Sequence, residues 1–287
     1  MVRLARVAAD GGERSVAVLS ASSGDRLLDL GPRPLPELFA ELDGIRDLVA
    51  TADAETLPPL DPSALRAPVV PRSLLCLGYN YRGHVPDGVD PTADDPATPD
   101  VFVKTANTLG GPADPVVIPA VADDVDYEGE IAVVIGRRAH GVSLDDALSY
   151  VAGYTLLNDV SDRSWQRRQS QWALGKCFDG FAPLGPWMVT ADEIDPQDLV
   201  VEVVRDGRVT VSQSTATTIF SVAFVVHYLS QVLTLEPGDV VSTGTPQKLA
   251  AAQAAHRPLA PGDAVTVRVA GIGELTTVFT SPSGAPA

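Results

Sequence analysis

Two acidic residues at the start of an apolar strand are the first sign of chemistry in this sequence. Glu128 and Glu130 lead into residues 131–135, an apolar, β-branched run typical of a buried strand. Side chains alternate along a strand, so both carboxylates share one face with Asp126 and Ala132. Carboxylates placed this close repel each other unless water or a cation lies between them. The alternative is a frayed strand end whose acids are simply hydrated.

A third acid follows another apolar run. Asp159 comes directly after the strand pattern at residues 154–157 and Asn158. Three carboxylates brought together, with no cysteine and little histidine, form a hard oxygen site of the kind that Mg2+, Mn2+ or Ca2+ prefers. Taken alone, Asp159 could instead cap a helix that begins near Ser161.

The sequence lacks the motifs of several common enzyme classes. It contains no Gly-x-Ser-x-Gly elbow, no Gly-x4-Gly-Lys-Ser/Thr loop, no Gly-x-Gly-x-x-Gly and no His-Glu-x-x-His. These absences disfavour a serine hydrolase, a nucleotide-binding enzyme and a zinc protease.

Composition and charge limit the partners. The 287 residues are 45% hydrophobic, enough for a large core, and the net charge is −16. A protein this acidic is a poor partner for nucleic acid or an anionic membrane, so we expect neither. The first 20 residues show neither a signal-peptide core nor a spanning segment, and we predict a cytoplasmic protein. Two distant cysteines indicate neither a disulfide framework nor a zinc knuckle.

The pattern of elements predicts two domains. Short strands at 2–9, 15–20 and 26–30 and a helix from Leu35 form a small N-terminal α/β domain, residues 1–67, which offers no readable chemistry. A proline-rich link at 57–62 closes it. Residues 68–287 contain many short strands, few helices and two Pro-Gly-Asp turns that suit antiparallel pairing. We therefore expect a β-rich α+β fold, with the acidic, proline-rich loop at 85–99 acting as a lid.

Six segments, in chain order, resemble the fumarylacetoacetate hydrolase family from about residue 72 to the C-terminus. They are GYNYRGHV, VFVKTANTLGG, DYEGEIAVVIG, YVAGYTLLNDVSDR, WALGKCFDGFAPLGPW and PGDVVSTGTP. Gln166 and Gln171-Trp172 before Gly175-Lys176 look most like the diketo-deoxy-sugar-acid hydrolases of that family, with the acylpyruvate hydrolases also close. The resemblance implies a mixed β-roll catalytic domain, a homodimer, and a divalent metal held by two Glu and one Asp.

Carried over by position, the metal ligands are Glu128, Glu130 and Asp159, and the ion is Mg2+ or Mn2+, with Ca2+ possible. Arg163 and Gln166 match positions that face the substrate, and Thr245 matches the position that holds its carboxylate. Without the resemblance, Arg163 and Gln166 would be a solvated helix face and Thr245 a turn hydroxyl.

The resemblance also assigns three catalytic residues. His84 corresponds to the general base, and Lys176 to a lysine that contacts a substrate oxygen. The base is oriented in relatives by a Glu three residues on, where this chain has Asp87, one methylene shorter. Nearby Gly88, Pro91 and Pro96 disfavour the short helix that this stretch forms in many relatives. In isolation, His84 would be a surface histidine and Lys176 a turn residue.

Together these features predict a metal-dependent hydrolase that cleaves a carbon–carbon bond in a 2,4-dioxo acid to give a 2-oxo acid and a second carboxylic acid. The ion would polarise the ketone, while His84 and Asp87 would activate water. A decarboxylase or keto–enol tautomerase (isomerase) acting on a 2-oxo acid is the main alternative, favoured by the altered Asp87. A non-catalytic binding protein, or a biosynthetic enzyme that reuses the fold for another reaction, also stays open.

Overall fold

The computed structural model describes residues 1–84, 90 and 94–282. This part of the chain is rich in strands, which are β1 (Arg3–Ala9), β2 (Gly12–Ala21), β3 (Gly24–Gly31), β4 (Leu65–Arg66), β5 (Leu74–Gly78), β6 (Asp100–Lys104), β7 (Leu109–Gly110), β8 (Val116–Val117), β9 (Val125–Asp126), β10 (Gly129–Ile135), β11 (Val151–Asn158), β12 (Ser161–Asp162), β13 (Ala182–Thr190), β14 (Val200–Arg205), β15 (Arg208–Ser214), β16 (Val240–Ser242), β17 (Ala264–Val269) and β18 (Gly273–Thr280).

The helices are short. They are α1 (Leu35–Leu38), α2 (Leu42–Thr51), α3 (Arg163–Gln166), α4 (Ala173–Lys176), α5 (Val222–Val232) and α6 (Ala250–Ala254). Among the described residues, no helix has the length and apolar character needed to cross a membrane.

The largest sheet runs in the order β3-β2-β1-β13-β11-β10-β16-β5-β6. Its central strands β10 and β11 are buried along their whole length. Ile131 and Val133 pack into one apolar cluster, and Ala132 and Val134 into another on the opposite face. A sheet covered on both faces requires the continuous apolar run seen in the sequence. The expected β-rich α+β class is confirmed.

A second sheet, ordered β15-β14-β17-β18-β8, covers one face of the first. The contact is close at Gly129, where a Cβ would lie 2.5 Å from Cγ2 of Val203 on β14. Only glycine allows the start of β10 to approach the covering sheet so closely, because any side chain would displace Val203. This packing fixes the backbone directly between Glu128 and Glu130.

The N-terminal residues extend the large sheet. Strand β1 pairs with β13, and Leu4 and Leu35 share a core with Ala132 and Leu157 of the central strands. The division of the chain at residue 67 stays a prediction.

Strand directions bring distant residues to one edge of the large sheet. Strand β10 is antiparallel to both β11 and β16, and β5 is parallel to β16. The start of β10 therefore lies beside the ends of β5, β11 and β16. The segments that leave these ends carry His84, Asp159 and Thr245.

Candidate metal centre and substrate cavity

The three acids predicted as metal ligands form one cluster. One carboxylate oxygen from each of Glu128, Glu130 and Asp159 lies within 4.8 Å of the others. The Asp159 amide donates to the Glu128 carbonyl at 2.8 Å, which joins the end of β11 to the start of β10. Side chains of Glu130 and Asp159 are fully buried, so the alternative of a solvated strand end does not hold for them.

Glu130 has the chemistry of an ion ligand. Its Oε2 accepts hydrogen bonds from the Ser242 hydroxyl and from the Gly244 amide, whereas its buried Oε1 has no hydrogen-bond partner among the described residues. Burial, together with the negative charges of Asp159 and Glu128, raises the pKa of Glu130 well above its usual range. A divalent cation would satisfy the unpaired oxygen and remove the repulsion, so these residues fit such an ion.

Two buried lysines neutralise part of the cluster. Lys104 donates to Asp159 Oδ1 at 2.6 Å, and Lys176 donates to Asp159 Oδ2 at 2.6 Å and to Glu128 Oε2 at 2.7 Å. Burial lowers the pKa of Lys176, but the charges of Asp159 and Glu128 outweigh it and raise the pKa. Lys176 is therefore an ammonium group at neutral pH, ready to donate to an anionic oxygen.

A chain of ion pairs leads away from the cluster. Arg163 binds Glu128 Oε1 at 2.5 Å and Asp126 Oδ2 at 3.0 Å, and Lys248 binds the other oxygen of Asp126. Burial raises the pKa of Asp126, but the charges of Arg163 and Lys248 outweigh it and hold the pKa below its usual value. Asp126 is thus a carboxylate that orients two cationic side chains.

His84 lines the same cavity as these groups, and its imidazole is held by the backbone. Its Nδ1 is 2.9 Å from the carbonyl oxygen of Thr245. A carbonyl can only accept, so the neutral imidazole carries its proton on Nδ1 and keeps the Nε2 lone pair available as a base. The Thr245 hydroxyl itself donates to the Gly129 carbonyl at 3.0 Å.

These side chains line a cavity of about 720 Å³, a typical volume for a small-molecule site. One wall is aromatic: Trp172 makes edge contacts with Tyr79 and Phe102, at ring-centroid distances of 5.7 and 5.6 Å. The rest of the lining is mostly polar and cationic, and includes Arg163, Gln166, Arg167, Lys248, Gln253 and His256. Gln166 accepts from Arg163 at 2.9 Å.

The sequence-predicted site residues therefore meet at one place wherever the structure describes them. Asp87 lies outside the described residues, as does most of the predicted lid, at 85–89 and 91–93. The helix cap expected as the alternative for Asp159 is made instead by Asp162, which accepts from the Trp165 amide at 2.8 Å. The carboxylate oxygens of Asp159 accept hydrogen bonds from Lys104 and Lys176.

Sequence reasoning missed Lys104 and Lys248. A usable signal was present, because the chain has only three lysines among its 21 basic residues, and the third is Lys176. All three contact the acids of this site.

Comparison with known proteins agrees with this architecture. The sequence model described as "Fumarylacetoacetate (FAA) hydrolase C-terminal" matches residues 73–280, most of the chain. The chain belongs to the fumarylacetoacetate hydrolase family. The family resemblance expected from the six segments is thereby confirmed.

Relatives in this family carry different activities in their names. A fumarylacetoacetate hydrolase domain-containing protein 2 homolog of Dictyostelium discoideum is 43% identical over 66% of this chain, and the match spans 64% of that protein. A mitochondrial oxaloacetate tautomerase of Bos taurus is 35% identical over 89% of this chain and 84% of its own.

A solved structure is also similar over almost the whole chain. Maleylpyruvate hydrolase from Sphingobium sp. SYK-6, in complex with manganese(II) and pyruvate, has a TM-score of 0.78 and 27% identity, with 98% of this chain and 100% of that chain covered. Family members thus include both tautomerases and hydrolases.

Proposed function

We propose that this protein is a divalent-metal-dependent enzyme that forms the enolate of a 2-oxo acid, acting as a keto–enol tautomerase. The observation that carries the proposal is the buried Glu128–Glu130–Asp159 cluster with its unpaired Glu130 oxygen, next to Lys176 and His84 on one cavity. Held by these three carboxylates, Mg2+ or Mn2+ would polarise the 2-oxo group and stabilise the negative charge of the enolate.

The chain's own residues supply the proton chemistry. His84 Nε2 takes a proton from the carbon next to the ketone, and the electron pair moves to the ketone oxygen to give the enolate. Lys176 donates a hydrogen bond to that oxygen as its charge develops. His84 then returns the proton to the oxygen, which completes the conversion of keto to enol form.

The surroundings of His84 favour tautomerisation over hydrolysis. Activation of water benefits from a carboxylate behind the histidine, because it stabilises the imidazolium that forms. Among the described residues, the partner of His84 Nδ1 is the neutral Thr245 carbonyl. Removal of an acidic carbon-bound proton needs a weaker base than activation of water does. The bovine oxaloacetate tautomerase, aligned over 89% of this chain, is consistent with this choice.

Hydrolysis of a 2,4-dioxo acid is the second candidate. It is favoured by the similarity to maleylpyruvate hydrolase over almost the entire chain. In that reaction His84, oriented by Asp87, would activate the water that attacks the distal carbonyl, and Lys176 would stabilise the oxyanion. Decarboxylation of a 2-oxo acid would use the same metal half of the site.

Product analysis separates these reactions. An acylpyruvate, a diketo-deoxy sugar acid and oxaloacetate would each be incubated with Mg2+ or Mn2+, and again with a chelator. We expect chelator-sensitive interconversion of enol and keto oxaloacetate, with no second acid and no CO2. Release of two acids from a dioxo acid would support the hydrolase instead, and CO2 release the decarboxylase. Absence of any chelator-sensitive reaction would contradict every metal-dependent candidate.

The remaining expectations from the family resemblance stay predictions. These are the homodimer, the cytoplasmic location and the choice between Mg2+, Mn2+ and Ca2+.

A further inference from the structure

Lys248 differs from the other two lysines of the chain. Lys104 and Lys176 bind carboxylates of the candidate metal cluster, whereas Lys248 binds Asp126, outside the cluster. Its ammonium lies over the Tyr127 ring, 4.3 Å from the centroid, and its side chain is 14% exposed. Lys248 also lines the cavity.

The ammonium of Lys248 can bind a further anion. It has three N–H donors, and Asp126 accepts the one hydrogen bond that it makes to the described residues. Asp126 is shared with Arg163, which leads back to Glu128. Lys248 is therefore linked to the metal cluster through one carboxylate and one guanidinium, and it lines the same cavity as Glu128 while lying outside the cluster.

The charge balance of the site calls for a doubly charged ligand. Among the described residues, the acids linked at the site are Asp126, Glu128, Glu130 and Asp159, and the bases that bind them are Lys104, Arg163, Lys176 and Lys248. Fully ionised, four acids and four bases cancel, so a bound divalent ion leaves an excess of two positive charges. Excess charge in a largely buried site is costly. A 2-oxo monocarboxylate neutralises one of these charges, and a dicarboxylate both.

The cations that line the cavity limit where a second carboxylate can bind. The wall beside Lys176 is aromatic, with the Lys176 ammonium 4.8 Å from the Phe102 ring centroid, and offers no cation beyond Lys176 itself among its described residues. Of the other cations that line the cavity, Arg163 already binds Glu128 and Asp126. The Arg167 side chain is 66% exposed, whereas the Lys248 side chain is 14% exposed and keeps N–H donors for a ligand. A carboxylate at the far end of the substrate therefore meets its partner on the Lys248 side.

We propose that Lys248 binds the second carboxylate of a 2-oxo dicarboxylic acid and so determines substrate specificity. This inference rests on the proposed function, because it assumes that the 2-oxo acid end of the ligand lies at the metal cluster. It restricts the substrate class to diacids and gives a role to a lysine that the tautomerase mechanism does not use.

The test compares ligands that differ only in the second carboxylate. Oxaloacetate and 2-oxobutanoate both have four carbons, and 2-oxoglutarate and 2-oxopentanoate both have five. Binding of each to the Mg2+-loaded protein would be measured by calorimetry, with Ki from competition where a ligand is turned over. We expect the diacid of each pair to bind about 10–100-fold more tightly, the range for a hydrogen bond to a charged group.

Three variants test whether Lys248 is the cause of the preference for diacids. Lys248→Gln should bring the diacid-to-monoacid ratio close to one, with a larger loss of affinity for the diacid than for the monoacid, whereas Lys248→Arg should keep most of the preference. Arg168→Gln removes the same charge from a side chain that stacks on Trp165, and should keep the full ratio. An unchanged ratio in Lys248→Gln, or an equal loss in Arg168→Gln, would overturn the inference.

The monoacids separate this inference from the proposed function. If 2-oxobutanoate binds only when Mg2+ is present but the diacids gain nothing, the metal site stands and the role of Lys248 is wrong. If no 2-oxo acid binds in a metal-dependent way, the proposed function itself fails. Mn2+ binding to Lys248→Gln reports on folding of the site, because Asp126 keeps Arg163 as a partner in this variant.

Discussion

Asp159 and Asp263 are both largely buried aspartates held by two basic side chains, but their surroundings differ. Asp263, in the second Pro-Gly-Asp turn, accepts from Arg205 at 2.9 Å, from Arg257 at 2.7 Å and from the Ala260 amide at 2.9 Å. The hydrogen bond from Arg257 is the largest cause of a lowered pKa at Asp263. Asp159 is held by Lys104 and Lys176 instead.

The difference separates a structural ion cluster from the candidate metal cluster. Arginine's planar fork fits a carboxylate rigidly, and both oxygens of Asp263 are satisfied, so that cluster has no capacity left for a ligand. Around Asp159 the cations are lysines, which are compact charges on flexible stems. The neighbouring Glu130 keeps a buried oxygen without a partner among the described residues. Incomplete satisfaction of buried acids therefore marks the site.

Removal of one acid from each cluster gives the largest expected contrast. Glu130→Gln should abolish measurable Mg2+ or Mn2+ binding, a greater loss than the ~10–100-fold typical for residues that only orient a metal ligand. Asp263→Asn should leave metal affinity unchanged, because Asp263 belongs to the structural cluster. Calorimetric titration of both variants with the metal measures the difference in affinity. Equal metal affinities would show that the two clusters do not differ in metal binding.

Lys176→Met separates catalysis from metal binding. We expect kcat/KM to fall about 10²–10³-fold, as for the loss of one donor to a developing oxyanion. Metal affinity should not weaken, because Lys176 competes with the ion for Glu128 and Asp159. Steady-state kinetics and metal titration on the same preparation check both parts. A large loss of metal affinity would instead assign Lys176 to the construction of the site.

Lys104→Met tests whether lysines neutralise the buried Asp159 when no metal is bound. The substitution leaves buried Asp159 with Lys176 as its remaining basic partner and should lower the free energy of unfolding by about 2 kcal/mol in chelator. Leaving a buried acid with no basic partner at all destabilises a protein more, by about 3–5 kcal/mol. Saturating Mg2+ should reduce the loss, since the ion neutralises Asp159. Urea unfolding with and without Mg2+ measures it, and a loss independent of metal would contradict this interpretation.

The Asp263 cluster should make a pH-dependent contribution to the free energy of unfolding. Asp263 has a lowered pKa in the folded protein, so its stabilisation is fully present above the unfolded value of about 3.9 and is lost as pH falls through the folded pKa. Asp263→Asn should reduce the loss of stability between about pH 5 and pH 3. Unfolding midpoints of the wild-type protein and the variant across that range check this smallest effect. Parallel curves would show that Asp263 contributes nothing.

Local pattern was sufficient to predict the centre of the fold. Period-two alternation places Glu130 on the face of Ala132 and Val134, and these two residues do pack in a cluster separate from that of Ile131 and Val133. The start of α5 at Val222 is set locally, because the Ser221 side chain caps the helix by accepting from the Phe224 amide.

The contacts of the lysines could not be predicted from local pattern. Lys104 is 55 residues from Asp159, and Lys248 is 122 residues from Asp126. Their contacts depend on the three-dimensional arrangement of segments far apart in the chain, which no local periodicity encodes. The family resemblance did identify His84, Lys176 and Thr245 as candidate site residues, since those positions lie within the six segments that resemble the family.

The most direct test of the central claim is a Mn2+ titration followed by electron paramagnetic resonance, in which free Mn2+ gives the signal. We predict that the wild-type protein removes one equivalent of signal per chain, and that Glu130→Gln removes none at the same concentrations. A wild-type protein that leaves the signal of free Mn2+ unchanged, or a Glu130→Gln variant that still binds one equivalent with wild-type affinity, would contradict the assignment of the metal centre.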